Sequence, residues 1–396
     1  MALPIIRLHP QRHKRTQGGH PWVYSNEIVT EDAAVKTSAP GDLVEFRTHD
    51  KQLIGKGSFN SKTLIAGRIF TRRAAENIDG NFIRTRLSDA LALRTKLVAE
   101  PYYRLVHAEA DALPGLIVDR FGPHLSVQLN TAGMEKLWPL VEEALMGLLA
   151  PESIVLRNDS ASRALEGLAR EVKIVRGTGG GPVEVRENGL TYFADLHGGQ
   201  KTGWYFDQRD NRALVARYAR DAANVLDLYC NAGGFALLAA RAGTRSVTGV
   251  DSSEAALEIA TKSAAHNDLA TKCRFHRADV FEDLERRNKA GEKFEVVIAD
   301  PPAFIKSRKD MTSGARGYRK LAKLAASVTA QKGMLFIASC SYNMELPSFT
   351  EQIARGLFEA GRTGRILHTV FAAPDHPVHP HLPESAYLKG MLIGLD

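Results

Sequence analysis

Residues 224–251 constrain the fold more than any other stretch. They run Asn-Val-Leu-Asp-Leu-Tyr-Cys-Asn-Ala-Gly-Gly-Phe and close on Val-Thr-Gly-Val-Asp. Apolar residues 225–228 read as a buried strand, 231–234 as a tight turn, and the Ala- and Leu-rich stretch 235–242 as a helix. A second apolar strand, 246–250, ends in Asp251. This is one βαβ half of a doubly wound sheet, which gathers its ligand at the carboxyl ends of the strands. Gly233 and Gly234 would let that ligand approach backbone a Cβ would block. Asp251 lies 18 residues after Gly233, where a carboxylate can accept bonds from both ribose hydroxyls.

NAD, FAD and S-adenosylmethionine can all occupy such a unit, and a ligand-free structural βαβ is the bland alternative. NAD sites favour Gly-x-Gly-x-x-Gly, which sets the pyrophosphate against a helix N-terminus. The turn here, from Cys230 to Phe235, lacks that spacing. Asp227, at the strand end, would repel a pyrophosphate but can accept a bond from a ligand ammonium group. S-adenosylmethionine is therefore the expected cofactor and methyl transfer the expected chemistry. Its contacts are expected from Asp227, Tyr229, Asn231, Ala232, Gly233, Gly234 and Phe235 around the turn. Asp251 and Ser252 follow the second strand, and Asp279 and Val280 the third.

The chain of 396 residues suggests two or three domains. With 44% hydrophobic and 24% charged residues it has the composition of an ordinary soluble protein. It has no run of 18 apolar residues and no signal-peptide core, so no membrane partner is expected. Its three cysteines, Cys230, Cys273 and Cys340, show no metal-type pairing, which fits a reducing cytoplasm and no metal site. A net charge of +7 permits a polyanionic partner without proving one. A homodimer is one arrangement the sequence allows.

Residues 1–72 open with basic residues and then give short β-like runs at 43–46, 53–58 and 64–70, consistent with a small β-barrel. This barrel is either RNA-docking or merely basic and solvated. Residues 73–182 read as an α+β unit: a helix over 78–98, strand-turn-strand over 104–118, a strand over 125–129 and a helix over 134–149. His107, Glu109 and Asp111 alternate along the expected strand and mimic a metal site, but as surface polar residues. The glycine-rich stretch 176–182 reads as a linker or turn, lacking the Gly-Lys-Ser/Thr of a phosphate loop.

Residues 183–396 form the expected seven-stranded Rossmann-like α/β domain, with a hairpin around Asn188-Gly189 at its start. In the stretch from Gly198 to Asp210, two aromatics and Lys201 beside glycines lie just ahead of the cofactor strand and suggest a lid over the ligand, with ordinary interdomain packing as the bland alternative. Phe206, Gln208 and Arg209 are expected at the cofactor, and Lys201 and Tyr205 at the substrate. Asp207, with Asp210, is expected to cap a helix running to Arg220. Further helices are expected over 255–267, 280–289, 318–330 and 346–360, and strands over 274–276, 295–299, 334–338, 366–371 and 386–394.

Asp227, Asp251, Asp279, Asp300 and Cys340 all fall at carboxyl ends of expected strands. Asp300-Pro301-Pro302 is a rigid loop that holds a carboxylate's direction. Adenine N6 methyltransferases carry an aromatic directly after the second proline, whereas here Ala303 precedes Phe304. Cytosine C5 is a poor nucleophile until a thiolate attacks C6, so a cysteine beside the base is a chemical requirement for carbon methylation. Cys340 is the best-placed cysteine, with a buried structural role as the alternative. Lys306, Arg308, Lys309, Arg316, Arg319, Lys320 and Lys323 surround one acid, Asp310, and are expected to contact phosphates unless they form only a solvated face. Pro301, Pro302, Phe304, Lys306, Arg308, Arg316 and Tyr318 are the expected substrate contacts.

Several stretches together resemble the PUA-domain-containing class I RNA methyltransferases that make 5-methylcytosine in large-subunit ribosomal RNA. They are 20–25, 109–122, 201–209, Asp300 to Phe304, and Ser339-Cys340-Ser341. The resemblance implies a PUA barrel, a middle α+β domain, a C-terminal catalytic domain and a cysteine nucleophile at Cys340. The reading that follows is a cytosine-C5 methyltransferase acting on ribosomal RNA, in which Cys340 attacks C6 and Asp300 holds the base edge. A related branch methylates guanine N7 and shares much of 201–209. A guanine-N7 or adenine-N6 enzyme, or a non-catalytic RNA-binding assembly factor, therefore stands as the alternative.

Overall fold

The computed structural model describes residues 2–178, 181–199 and 203–396. They divide into two compact units. One holds the chain up to Val183 with Asp195–Gly203 and Asp375–Pro383; the other holds Glu184–Ala194, Trp204–Pro374 and Glu384–Asp396.

The first unit contains two sheets. β1 (Ile5–Arg7), β2 (Trp22–Tyr24), β3 (Asp42–Arg47), β4 (Leu53–Phe59) and β5 (Ile65–Thr71) pair in the order β1-β3-β4-β5-β2 around Val23, Val44, Phe46 and Ile69. β6 (Tyr102–His107), β7 (Leu116–Phe121), β8 (His124–Leu129), β9 (Ser153–Asn158) and β10 (Glu171–Arg176) form the second, in the order β10-β9-β8-β7-β6. Helices Gly80–Leu97 and Ala132–Leu149 share a core with it through Ile83, Leu87, Val141 and Leu145. Asp79 and Thr131 cap these helices by accepting from Phe82 N (3.0 Å) and Met134 N (3.2 Å).

Two expectations in this unit need correction. Residues 108–111 are a 3₁₀ turn rather than strand, with Ala108 and Ala112 left-handed at φ 47° and 55°. The turn forms because the fully buried Arg94 takes both oxygens of Asp111 (2.5 and 2.7 Å), while Asp111 also accepts from His107 N. Glu109 is likewise no surface residue, since it accepts from Trp22 Nε1 and Arg68, each at 2.7 Å. Of the glycine-rich stretch 176–182, Gly179 and Gly180 lie outside the described residues.

The second unit begins with the hairpin β11 (Val183–Glu187) and β12 (Leu190–Ala194), turned at Asn188 and Gly189, both at positive φ. Its main sheet contains β13 (Asn224–Leu228), β14 (Ser246–Asp251), β15 (Cys273–Arg277), β16 (Phe294–Ala299), β17 (Thr329–Ser339), β18 (Gly364–Phe371) and β19 (Lys389–Leu395). The order is β15-β14-β13-β16-β17-β19-β18. The first five strands are parallel, and β19 runs antiparallel to β17 and β18. The strand order reverses at β13 and β16, so the crevice beyond their carboxyl ends is where a ligand belongs.

Two helix boundaries also differ from expectation. The helix expected from residue 318 begins seven residues earlier and spans Met311–Val328. Gly314 and Gly317 look like breakers in the sequence, but a Cβ at Gly314 would lie 2.3 Å from Ile305 Cγ1, so the glycine serves close packing of the preceding loop. Helix Arg209–Tyr218 follows a 3₁₀ turn at Phe206–Gln208, and the Gln208 side chain at its N-cap makes no capping hydrogen bond. Asp207 accepts from the Tyr387 hydroxyl, and its carbonyl from Ala373 N.

Candidate active site

After β13 the chain turns with Tyr229, Asn231 and Gly233 at φ 60°, 48° and 81°. Two non-glycine residues held left-handed in one turn are costly and need outside support. Asp251, at the end of β14, supplies it: Oδ2 accepts from Asn231 N and Oδ1 from Ser253 N, each at 2.9 Å. Asn231 Oδ1 accepts from Ala232 N at 2.6 Å. A carboxylate has about four acceptor positions, so Asp251 can serve the turn and a ligand together. The glycines have a nearer reason than the one expected. A Cβ at Gly233 would lie 2.6 Å from Leu237 Cδ1, and one at Gly234 would lie 2.5 Å from Arg212 Nε. They relieve contacts with the protein itself. Phe235 packs into the core against Phe336, so only its backbone belongs to the turn.

Asp227 is 1% exposed. Its Oδ2 accepts from Ala236 N (2.9 Å) in helix Gly234–Arg241, while Oδ1 has no hydrogen-bond partner among the described residues. Burial raises its carboxyl well above the usual range, and the charges of Asp300 and Asp251 push the same way against the Ala236 N–H and Arg212. Three carboxylates thus bear on one place, with an unused oxygen in the most buried of them. Such a site favours a cationic ligand group and disfavours a pyrophosphate. Asp279 caps helix Val280–Lys289 through Phe281 N and Glu282 N. Val280 is core, and Ser252 is exposed.

From Trp204 onward, the segment before the cofactor strand packs within the second unit. Buried Arg212 donates to Glu187 Oε1 (2.7 Å) and to the Tyr205 carbonyl (3.0 Å), and lies over the Trp204 ring. Trp204 Nε1 donates to the other Glu187 oxygen at 3.1 Å. Phe206 is buried under the Arg209 guanidinium. Gln208 Nε2 donates to Asp300 Oδ2 (2.8 Å), and Asn211 fixes the amide's direction by donating to Gln208 Oε1 (2.6 Å). Gln208 is thus anchored to the Asp-Pro-Pro loop. Burial raises the Tyr205 hydroxyl, as do the neighbouring Asp207, Cys340, Asp300 and Asp251. Lys201 lies outside the described residues.

Beyond β16, Pro301 is buried and Pro302 exposed. Phe304 stacks on Tyr318 at 4.8 Å. Tyr318, expected at the substrate, is instead fully buried, and its hydroxyl joins Ser339 and Ser341, each at 2.8 Å. It ties the Asp-Pro-Pro loop to the strand end that carries Cys340. Cys340 is partly exposed, whereas Cys230 and Cys273 are buried. Burial raises the Cys230 thiol well above its ordinary value and pushes the Cys273 thiol up to about 12.

The basic run divides. Lys320 pairs with Glu285 (2.9 Å), and Arg319 and Lys323 approach Glu359 (3.6 and 3.8 Å). Lys306, Arg308, Lys309 and Arg316 are exposed and make no ion pair among the described residues. Asp310 accepts from Ser307 N and Oγ, closing the turn that presents the first three.

Sequence reasoning missed two features near Cys340. Tyr342, 64% exposed, stacks on Tyr387 at 5.2 Å. Lys389 is buried, with Nζ donating to the carbonyls of Ser341 (2.7 Å) and Met344 (2.6 Å). A lone lysine heading an otherwise apolar strand was the signal available for the latter.

Comparison with known proteins agrees with this architecture. A PUA-like domain model matches residues 6–72, and a methyltransferase domain model matches residues 219–372. A methyltransferase solved in complex with SAH superposes with a TM-score of 0.83 over 100% of both chains, at 18% identity. Fold and site define the S-adenosylmethionine-dependent methyltransferase class, with an N-terminal PUA-like domain. Ribosomal RNA large subunit methyltransferase I of Tolumonas auensis is 37% identical over 395 residues, 98% of each chain. That of Aeromonas salmonicida is 36% identical over 394 residues, again 98% of each. The chain belongs to the ribosomal RNA large subunit methyltransferase I family.

Proposed function

We propose that this chain methylates C5 of a cytosine in large-subunit ribosomal RNA through a covalent bond from Cys340 to C6. The relatives' names support the RNA, and the SAH bound by the structural neighbour supports the cofactor. Asp227 Oδ1 would accept from the cofactor's ammonium group and Asp251 from its ribose hydroxyls, while the Tyr229–Gly234 turn and Asp279 line the remainder. S-adenosylmethionine supplies an electrophilic methyl group.

The chemistry of this chain's own residues follows from the strand ends. The Cys340 thiolate attacks C6, and the C5–C6 double bond gives C5 the electron pair it needs to accept the methyl group. Asp300, directed by Gln208 and the two prolines, holds the base edge and, in its protonated form, lends its proton to N3 as negative charge builds there, taking it back when Cys340 leaves. Loss of the C5 proton then drives out Cys340 and restores the ring. One observation carries this reading. Cys340, alone of the three cysteines, is partly exposed, and Tyr318 binds its strand end to the Asp300 loop.

RNA carrying 5-fluorocytidine at the target tests it, because fluorine at C5 blocks the final elimination. The expected result is a denaturant-stable adduct mapped to the Cys340 peptide. Cys340→Ala should abolish adduct and turnover and still bind cofactor. Near-normal methylation by Cys340→Ala would refute the covalent route and make a guanine or adenine nitrogen the target.

A further inference from the structure

β19 begins at Lys389, which lies opposite Ser339 in the antiparallel register with β17. The residues after it, Gly-Met-Leu-Ile-Gly-Leu, are apolar, and Lys389 itself is 4% exposed. Its ammonium reaches across the strand pair to the carbonyls of Ser341 and Met344, which follow Cys340 in the chain. No carboxylate forms an ion pair with it among the described residues. A buried cation held only by carbonyl dipoles is poorly compensated. Burial accordingly pushes the Lys389 ammonium down to about 8, and the opposing influence is the charge of Cys340. The charge of Cys340 bears on Lys389 from β19, on Tyr318 from helix Met311–Val328 and on Tyr205 from the segment before the cofactor strand.

We propose that Lys389 is the positioning residue of the nucleophile: it fixes the Ser339-Cys340-Ser341 strand end and holds Cys340 as thiolate by serving as its counter-ion. This rests on the reading of Cys340 as the attacking group. The thiol proton passes to solvent, the ammonium keeps its three protons, and no bond to Lys389 forms. Two donors hold the strand end while the charge serves the sulfur. An isolated thiol titrates near about 8.5, so at neutral pH it is mostly unreactive without such help.

The test is the pH dependence of iodoacetamide alkylation of the full-length protein, followed on the Cys340 peptide by mass spectrometry. The wild-type midpoint should lie below the isolated-thiol value. Lys389→Met should raise it by about one unit or more, which slows alkylation at neutral pH about tenfold. Lys389→Arg, keeping the charge, should restore most of the shift. A lysine that merely tied two carbonyls would change folding or cofactor affinity without moving the midpoint. Should Lys389→Met fail to fold, a wild-type midpoint at or above the isolated-thiol value would by itself overturn the pairing. The 5-fluorocytidine adduct is read separately. A midpoint insensitive to Lys389 with the adduct intact refutes the pairing alone. A Lys389-dependent midpoint without an adduct refutes the role of Cys340 in transfer.

Discussion

A buried carboxylate oxygen without a donor, such as Oδ1 of Asp227, is unfavourable until a donor arrives. Loss of a charge-assisted bond there by Asp227→Asn should cost about 1.5–3 kcal/mol, roughly 10- to 150-fold in S-adenosylmethionine affinity. The pH dependence has a definite sign. The folded carboxyl is raised chiefly by burial, so the proton competes with the ligand's ammonium group. Wild-type affinity should weaken as pH falls through the range above the usual carboxylate value, while Asp227→Asn should be flat there. In the ligand-free protein the unfolded chain ionises first, so stability declines as pH rises through the same window. Calorimetry giving both proteins the same slope would remove Asp227 from the ammonium site. At Asp251 a clean deletion is harder, because it also supports the left-handed Asn231.

The elements around the site differ in how far the sequence reveals them. β13, β14 and β16 announce themselves by short apolar runs with an aspartate at or next to the carboxyl end, because a buried parallel strand must be apolar and its carboxyl end must turn. The places of Asp227, Asp251, Asp300 and Cys340 follow from that periodicity alone. Partnerships set by distant chain do not. The 3₁₀ turn at Ala108–Asp111 depends on Arg94, the close packing at Gly314 in helix Met311–Val328 involves Ile305, and the anchoring of Gln208 depends on Asp300. The same principle splits the basic run, since Glu285 and Glu359 come from other helices. Lys306, Arg308 and Arg316, the basic residues expected at the substrate from this run, have no such partners among the described residues. Replacing these three by alanine should flatten the salt dependence of RNA binding, by about 0.7–0.9 in log–log slope for each phosphate no longer neutralised, with cofactor affinity unchanged. An unchanged slope would make them a solvated face. The partly paired Arg319, Lys320 and Lys323 should matter less in the same assay.

At the scale of the whole molecule the two units do not follow the order of the chain. The first unit takes in Asp375–Pro383, from between β18 and β19. There the buried Asp375 carboxylate accepts from Arg104 N (3.0 Å) and its carbonyl from Arg94 (3.1 Å), while the His376 ring lies 5.2 Å from that of His107. Asp375→Ala should therefore destabilise the first unit by about 1–3 kcal/mol. Hydrogen exchange should quicken in β6 and β7, while S-adenosylmethionine affinity holds. Weakened cofactor binding with unchanged exchange would assign Asp375 to the other unit. During synthesis the chain leaves the ribosome N-terminus first, so Arg94 emerges long before the carbonyl it binds. About 190 residues separate Val183 from Asp375, which at about 5–20 residues per second is roughly 10–40 s of translation. The unit whose synthesis starts first is completed only after most of the second unit has been made.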